Sequence, residues 1–109
     1  MAIVSLGKIS IVNTVPAQFT STVNTNANAV YIQFPNGQTG PNVYIGAKGL
    51  VISTLANVWR ILVKRAAATD VPDSWNPQSA VSVGPFDLST FYVDGDHTGD
   101  YILVSYLVA

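Results

Sequence analysis

The 109-residue sequence contains no cysteine and no glutamate, and only 10% of its residues are charged. The absence of cysteine excludes a disulfide framework and a thiolate metal site, and it gives no indication of an oxidising compartment. The formal net charge is −1, and the only adjacent basic residues are Lys64 and Arg65. Because phosphate backbones are bound by clustered basic side chains, this composition disfavours a nucleic-acid partner.

Hydrophobic residues make up 49% of the chain, and Asn, Thr, Ser and Gln supply most of its polarity. Typical globular proteins carry about 25% charged residues, which keep their surfaces soluble and free of apolar patches. One interpretation is a β domain with a neutral polar surface. The interpretation that we favour is that partner subunits cover much of the surface, since scarce charge and exposed tyrosines both indicate an interface.

The stretch 29–49, AVYIQFPNGQTGPNVYIGAKG, shows the clearest strand pattern. Val30, Ile32 and Phe34 fall on one face of an extended segment, and the alternation resumes over residues 43–45 after a loop rich in Pro, Asn and Gly. Period-two alternation predicts half-buried strands, and a turn-rich loop between two of them predicts a hairpin. We expect this hairpin to be the element around which the other strands stack.

Other short segments with strand patterns are separated by turn residues. They cover residues 8–15, the start of 19–28, 50–52, 58–64, 80–83, 88–93 and 101–108. In the segment 58–64 we expect Trp59, Ile61 and Val63 to face the core and Leu62 to face outward. The run 62–68 could form a short helix instead, but its length favours a strand followed by a loop.

The last segment, 101–108, is apolar on both faces, which predicts an inner strand or one covered by a neighbour. Eight or nine short strands with no convincing helix predict an all-β fold. We expect a single domain over residues 1–109 that forms an antiparallel β-sandwich, either jelly-roll-like or barrel-like.

Two groups of residues near the C-terminus are candidates for chemistry. His97 is the only histidine, and without a nucleophile elbow around a serine we expect a solvated turn residue and no catalysis. Asp94, Asp96 and Asp100 could offer oxygen ligands to calcium, although the spacing is not that of an EF-hand. Because Asp and Gly are ordinary turn residues, we expect a plain turn with no metal, and no enzyme activity or cofactor.

Aromatic side chains are the candidate contact residues. They are Tyr31, Tyr44, Trp75, Tyr92 and Tyr106. These rings could pack against neighbouring subunits, or they could form a platform that stacks sugar rings. Trp75 lies in an aperiodic region, where it either caps one end of the core or anchors an interface.

Three segments of the sequence carry a resemblance to a known family. VYIQ at 30–33 and VYIG at 43–46 resemble the "v.iqN.g...vyiG" hairpin of small tailed-phage structural proteins, although Phe34 stands where members often carry Asn. FDLSTFYVDG at 86–95, followed by Thr98, Gly99 and Asp100, resembles their closing hairpin, and KISIVNTVPAQFT is similar to their usual start.

This family comprises head decoration, or cement, proteins and related virion modules, which are usually β-sandwiches and often trimeric. The resemblance implies a protein of the capsid surface that is present in the host cytoplasm during assembly. It implies the major capsid protein and further copies of the chain, as a dimer or trimer, as partners.

Two alternatives are a tail or fibre module of the virion, and a carbohydrate-binding module that uses Trp75 and exposed tyrosines. We expect no leader or membrane segment, because the apolar runs are short and interrupted.

Overall fold

A computed structural model describes residues 2–65, 67, 69–77 and 86–109. Within these ranges the chain forms nine strands and one turn of 3-10 helix, at Leu88–Thr90. The strands are β1 (Ile3–Ser10), β2 (Ala17–Gln18), β3 (Asn26–Phe34), β4 (Asn42–Val51), β5 (Ala56–Val63), β6 (Asp73–Trp75), β7 (Phe86–Asp87), β8 (Tyr92–Gly95) and β9 (Tyr101–Val108). The predicted all-β fold is confirmed. The strand predicted over 80–83 lies outside the described residues.

The strands form two antiparallel sheets. The first sheet has the order β1-β9-β3, and both β6 and β7 pair with the other side of β3. The second sheet has the order β2-β8-β4-β5. The core lies between the two sheets, so the predicted antiparallel β-sandwich is confirmed.

The strand pairs are nested in the sequence. β1 pairs with β9, β2 with β8, β3 with β6 and β7, and β4 with β5. Successive pairs lie alternately in the first and the second sheet, so the chain is one long hairpin that rolls up with its tip between β4 and β5. This is the topology of a jelly roll, one of the two arrangements that the sequence predicted.

The predicted alternation on β3 is confirmed by its burial. Val30, Ile32 and Phe34 are at most 1% exposed, whereas Tyr31 is 45% exposed. β9 lies between β1 and β3 in the first sheet, which confirms the predicted inner strand. The inward residues of these strands belong to a single cluster that extends into the second sheet.

The predicted hairpin between β3 and β4 is wrong, because these strands lie in opposite sheets. β3 pairs with β9, whereas β4 pairs with β5 and β8. The turn-rich loop between them is therefore an arch that crosses from one sheet to the other. The segment 86–100, which resembles the closing hairpin of the phage proteins, also crosses between the sheets, since β8 belongs to the second sheet and β9 to the first. Both loops are rich in turn residues, but turn residues do not require the two flanking strands to pair with each other in one sheet.

The predicted orientation of β5 is also wrong. Leu62 is fully buried, whereas Ile61 and Val63 are 37% and 41% exposed. Trp59 is 47% exposed, but its ring contacts Phe91 of the core, so the prediction fails for Ile61, Val63 and Leu62 and holds in part for Trp59. Leu62 pairs with Val43, which is itself fully buried, so this register directs Leu62 into the core. Both faces of β5 carry apolar residues, so the sequence pattern does not show which face is buried. The register with the partner strand decides it.

The first strand begins and ends earlier than residues 8–15, the range predicted for it. β1 ends at Ser10, and the backbone of the next residue bonds to the arch between β8 and β9. The backbone N–H of Ile11 donates to the carbonyl oxygen of Asp100 at 2.8 Å, and Gly99 donates to the carbonyl oxygen of Ile11 at 2.9 Å. Thr14 then has a φ of 68°, which breaks the extended conformation.

The segment predicted as a strand over 88–93 begins instead with the turn of 3-10 helix. Asp87 caps this turn, because its Oδ1 accepts hydrogen bonds from the backbone N–H and the hydroxyl of Ser89, at 3.0 and 2.8 Å. These bonds hold the pKa of Asp87 below its ordinary value. Among the described residues, no helix is long and apolar enough to cross a membrane.

Candidate functional site

The predicted calcium ligands lie in and beside the β8–β9 arch, but their carboxylates have different partners. Asp94 is buried, and its Oδ1 accepts the backbone N–H groups of Thr14 and Gly95 at 3.0 and 2.7 Å. Asp96 accepts the hydroxyl of Tyr44 at 3.1 Å. Burial raises the pKa of Asp94 above its ordinary value, against the lowering effect of its two donors, and burial also raises the pKa of Tyr44.

Asp100 joins the two arches. Its buried carboxylate accepts the backbone N–H groups of Thr39 and Gly40 at 2.8 and 2.6 Å. The next residue, Tyr101, donates its backbone N–H to the side-chain oxygen of buried Gln38 at 2.8 Å. Asp100 therefore replaces the ladder hydrogen bonds that the β3–β4 loop would make in a hairpin.

His97 lies in the same arch, with its side chain about half exposed. Its Nδ1 is 4.0 Å from Oδ1 of Asp100, whose carboxylate already accepts two backbone N–H groups. Among the described residues, no group of three or more His, Cys, Asp or Glu side chains is arranged to hold a metal. The hydrogen bonds accepted by Asp94, Asp96 and Asp100 link the loops of the sandwich to one another.

The structure does not bring the five predicted aromatic residues into one platform. Tyr31 is exposed on the outer face of the first sheet. Tyr44 and Tyr92 belong to the second sheet, and Tyr44 is buried. Tyr106 and Trp75 are partly buried and pack against the core. Tyr31 is the most exposed of these five residues.

Trp75 belongs to an aromatic cluster at one side of the sandwich. Phe91 lies at its centre, with ring centroids 5.4 Å from Phe19, 5.1 Å from Trp59 and 6.1 Å from Phe86. Trp75 lines the adjoining cleft of about 480 Å³ together with Trp59, Phe86 and Phe91. Its contact with the core agrees with the first of the two predicted roles, that of a cap on one end of the core.

Edge strand β5, the turn before it and the last residue of β4 carry exposed apolar side chains, which we call the β5 patch. It consists of Val51, Leu55, Trp59, Ile61 and Val63, each between 37% and 50% exposed. Leu55, Trp59 and Ile61 line one shallow hollow, so these members are contiguous. At the end of the strand, the carboxylate of Asp73 accepts the backbone N–H of Val63 at 2.9 Å, and it forms an ion pair with Arg65 at 3.0 Å.

A groove of about 490 Å³ lies on the outer face of the first sheet. Ser5, Ser105 and Tyr31 face one another across β1, β9 and β3. Leu103, Gln33 and Ser74 form the next row, across β9, β3 and β6. Asn76 closes one end of the groove.

Sequence patterns missed both surfaces. Tyr31 and Gln33 were recognisable as outward residues of β3, but their neighbours on β1, β6 and β9 follow only from the strand register. The β5 patch was hidden by the same uncertainty, because Trp59, Ile61 and Val63 had been assigned to the core.

Comparison with known proteins adds no relative: no family model matches the chain, and no curated protein and no solved structure is significantly similar to it. The resemblance to phage structural proteins, and the interface role of the aromatic residues, therefore stay predictions.

Proposed function

We propose that this chain is a structural protein of a tailed-phage virion, a capsid cement protein that binds the outer shell and stabilises contacts between coat subunits. The observation that carries the proposal is the β5 patch, an apolar surface on an edge strand of a protein with few charges. The jelly roll agrees with it, since viral capsid proteins use this fold. The resembling sequence segments point in the same direction.

The β5 patch has the composition of an interface core. Monomeric soluble proteins seldom expose contiguous apolar surfaces, and large ones mark interaction sites. Trp59 supplies the kind of large, partly packed ring that dominates binding energy in interfaces. Exposed Arg60 within β5 and Lys64 directly after it supply a polar rim.

An exposed edge strand also offers unpaired backbone groups to a neighbour. Soluble proteins protect such edges with charges, bulges or covering segments. Here the register shift between Ile45 and Gly46 leaves Trp59 without a residue opposite it, and Asp73 covers the N–H of Val63. The remaining apolar edge is suited to a partner that repeats on a lattice, either coat protein or another copy of this chain, where many modest contacts add up.

Co-sedimentation tests this function. Purified protein is mixed with intact phage heads that lack it, and bound copies are counted as its concentration rises. We expect saturation at a fixed number of copies per head and greater resistance of the loaded heads to heat or low salt. Absence of binding to heads, combined with binding to tails or fibres, would replace the cement proposal with a tail or fibre module.

A further inference from the structure

We infer that the groove on the outer face of the first sheet binds a neutral carbohydrate. This site is on the opposite side of the sandwich from the second sheet, to which the β5 patch belongs. The inference rests on the geometry of the groove and does not depend on the capsid proposal.

The polar groups of the groove are available to a ligand. In the described part of the chain, no side-chain hydrogen bond occupies the Tyr31 hydroxyl, the Gln33 amide, the Ser105 hydroxyl or the Asn76 amide. Cross-strand neighbours lie about 5 Å apart, so groups from adjacent strands can contact one small ligand together. The groove volume of about 490 Å³ lies within the range of small-molecule sites.

The chemistry of these groups matches sugar hydroxyls. Serine and tyrosine hydroxyls and the amides of Gln33 and Asn76 each offer both donors and acceptors, as sugar hydroxyls do. The exposed ring of Tyr31 provides an apolar face against which the C–H groups of a sugar ring can stack.

The charge of the groove selects a neutral ligand. None of the described residues that line it is acidic, basic or histidine. Lys8 lies opposite Leu103, beyond the β9 end of the second row of the groove, and its ammonium lies over the ring of Tyr101, 4.4 Å from the ring centroid. Acidic glycans, phosphates and charged peptide side chains thus find no partner in the groove.

An extended peptide is also a poor match for this site. Peptides that bind sheets add a strand at an open edge, through backbone hydrogen bonds. The two central strands of the groove are already paired on both sides, β9 with β1 and β3, and β3 with β9 and β6, and only the ends of the groove reach the edge strands β1 and β6. The ligand therefore contacts side chains on a sheet face, which suits a ring with several hydroxyls.

The test begins with an array of neutral oligosaccharides built from glucose, galactose, mannose and N-acetylglucosamine, with sulfated and uronic-acid oligosaccharides for comparison. The neutral glycan that binds best is then titrated by calorimetry against the full chain and its variants. We expect Tyr31→Ala to weaken binding about tenfold or more, and Tyr31→Phe to retain most of it because the ring remains. Gln33→Ala should also weaken binding.

Val15→Ala is the control, because Val15 is exposed, like Tyr31, but lies beside β2 at the far edge of the second sheet. It should leave glycan affinity unchanged, and circular dichroism checks that each variant is folded. The inference is overturned if no neutral glycan binds at millimolar concentration, if acidic glycans bind in preference, or if affinity survives Tyr31→Ala. Since none of these assays uses phage heads, failure here is distinguishable from failure of the cement proposal.

Discussion

The orientation of β5 makes a sharp prediction, because Leu62 and Ile61 are adjacent residues of similar size on opposite faces of one strand. Leu62 is fully buried, whereas Ile61 is 37% exposed. Replacing a buried leucine by alanine removes its transfer free energy and leaves a cavity, at a cost of about 2–5 kcal/mol. Ile61→Ala leaves no enclosed cavity and should cost about 1 kcal/mol or less.

Urea unfolding followed by circular dichroism measures both free energies of unfolding. For a domain of this size, about 1 kcal/mol corresponds to a change of roughly 4 °C in the melting temperature. Leu62→Ala should therefore lower the melting temperature by about 8–20 °C, and Ile61→Ala by about 4 °C or less. Equal losses, or a larger loss for Ile61→Ala, would refute the assigned orientation and remove the β5 patch from the surface.

Four further predictions concern titration, the arches, metal and assembly. Because burial raises the pKa of Asp94, its charged form destabilises the folded state, and this penalty is lost as the pH falls through the raised pKa. Asp94→Asn should therefore match or exceed the wild type in stability at pH 7, and the difference should shrink as the pH falls through the raised pKa of Asp94. The pKa of Asp87 is lowered instead, so its charged form stabilises the folded state: Asp87→Asn should be less stable than the wild type at pH 7 and equal to it once the pH has fallen through the folded-state pKa. If the stabilities of both variants run parallel to that of the wild type at all pH values, the predictions for Asp94 and Asp87 are wrong. Asp100→Ala leaves two backbone N–H groups without their acceptor and should lower the free energy of unfolding by about 2–4 kcal/mol. Asp96→Ala removes only the hydrogen bond from a tyrosine hydroxyl and should lower it by about 1 kcal/mol. Similar losses for the two variants would contradict the special role of Asp100. EDTA should leave the melting temperature unchanged, and a large drop would restore the predicted calcium site. Light scattering at micromolar concentration should show a dimer or trimer that Ile61→Asp dissociates, and a wild-type monomer would count against self-association through the β5 patch.

Local sequence patterns were sufficient for much of the strand content. Alternation on β3 specified which side chains are buried, and the apolar C-terminal run predicted β9 with its observed bounds, Tyr101–Val108. Burial of one face leaves a period of two in the sequence of β3, whereas the inner strand β9 is marked by an apolar run without that period. The number of short strands separated by turn residues, with no convincing helix, predicted the sandwich.

Pairing and orientation required information that lies far away along the chain. A turn-rich loop fits a hairpin or an arch, and here the choice depends on Asp100, which accepts hydrogen bonds from residues about sixty positions earlier. On β5 both faces are apolar, so only the register with β4 directs Leu62 inward. The carbohydrate groove combines residues from four strands, and no local pattern contains it.

The central claim is that the β5 patch attaches this protein to the virion. Co-sedimentation with phage heads of the wild type, Ile61→Asp and Val15→Asp tests it most directly. Val15 is an exposed valine beside β2, at the opposite edge of the second sheet, so it controls for adding a charge to the surface. An unpaired charge in a buried interface should weaken binding by Ile61→Asp about tenfold or more, with Val15→Asp close to wild type. Equal head binding by all three proteins would contradict the claim.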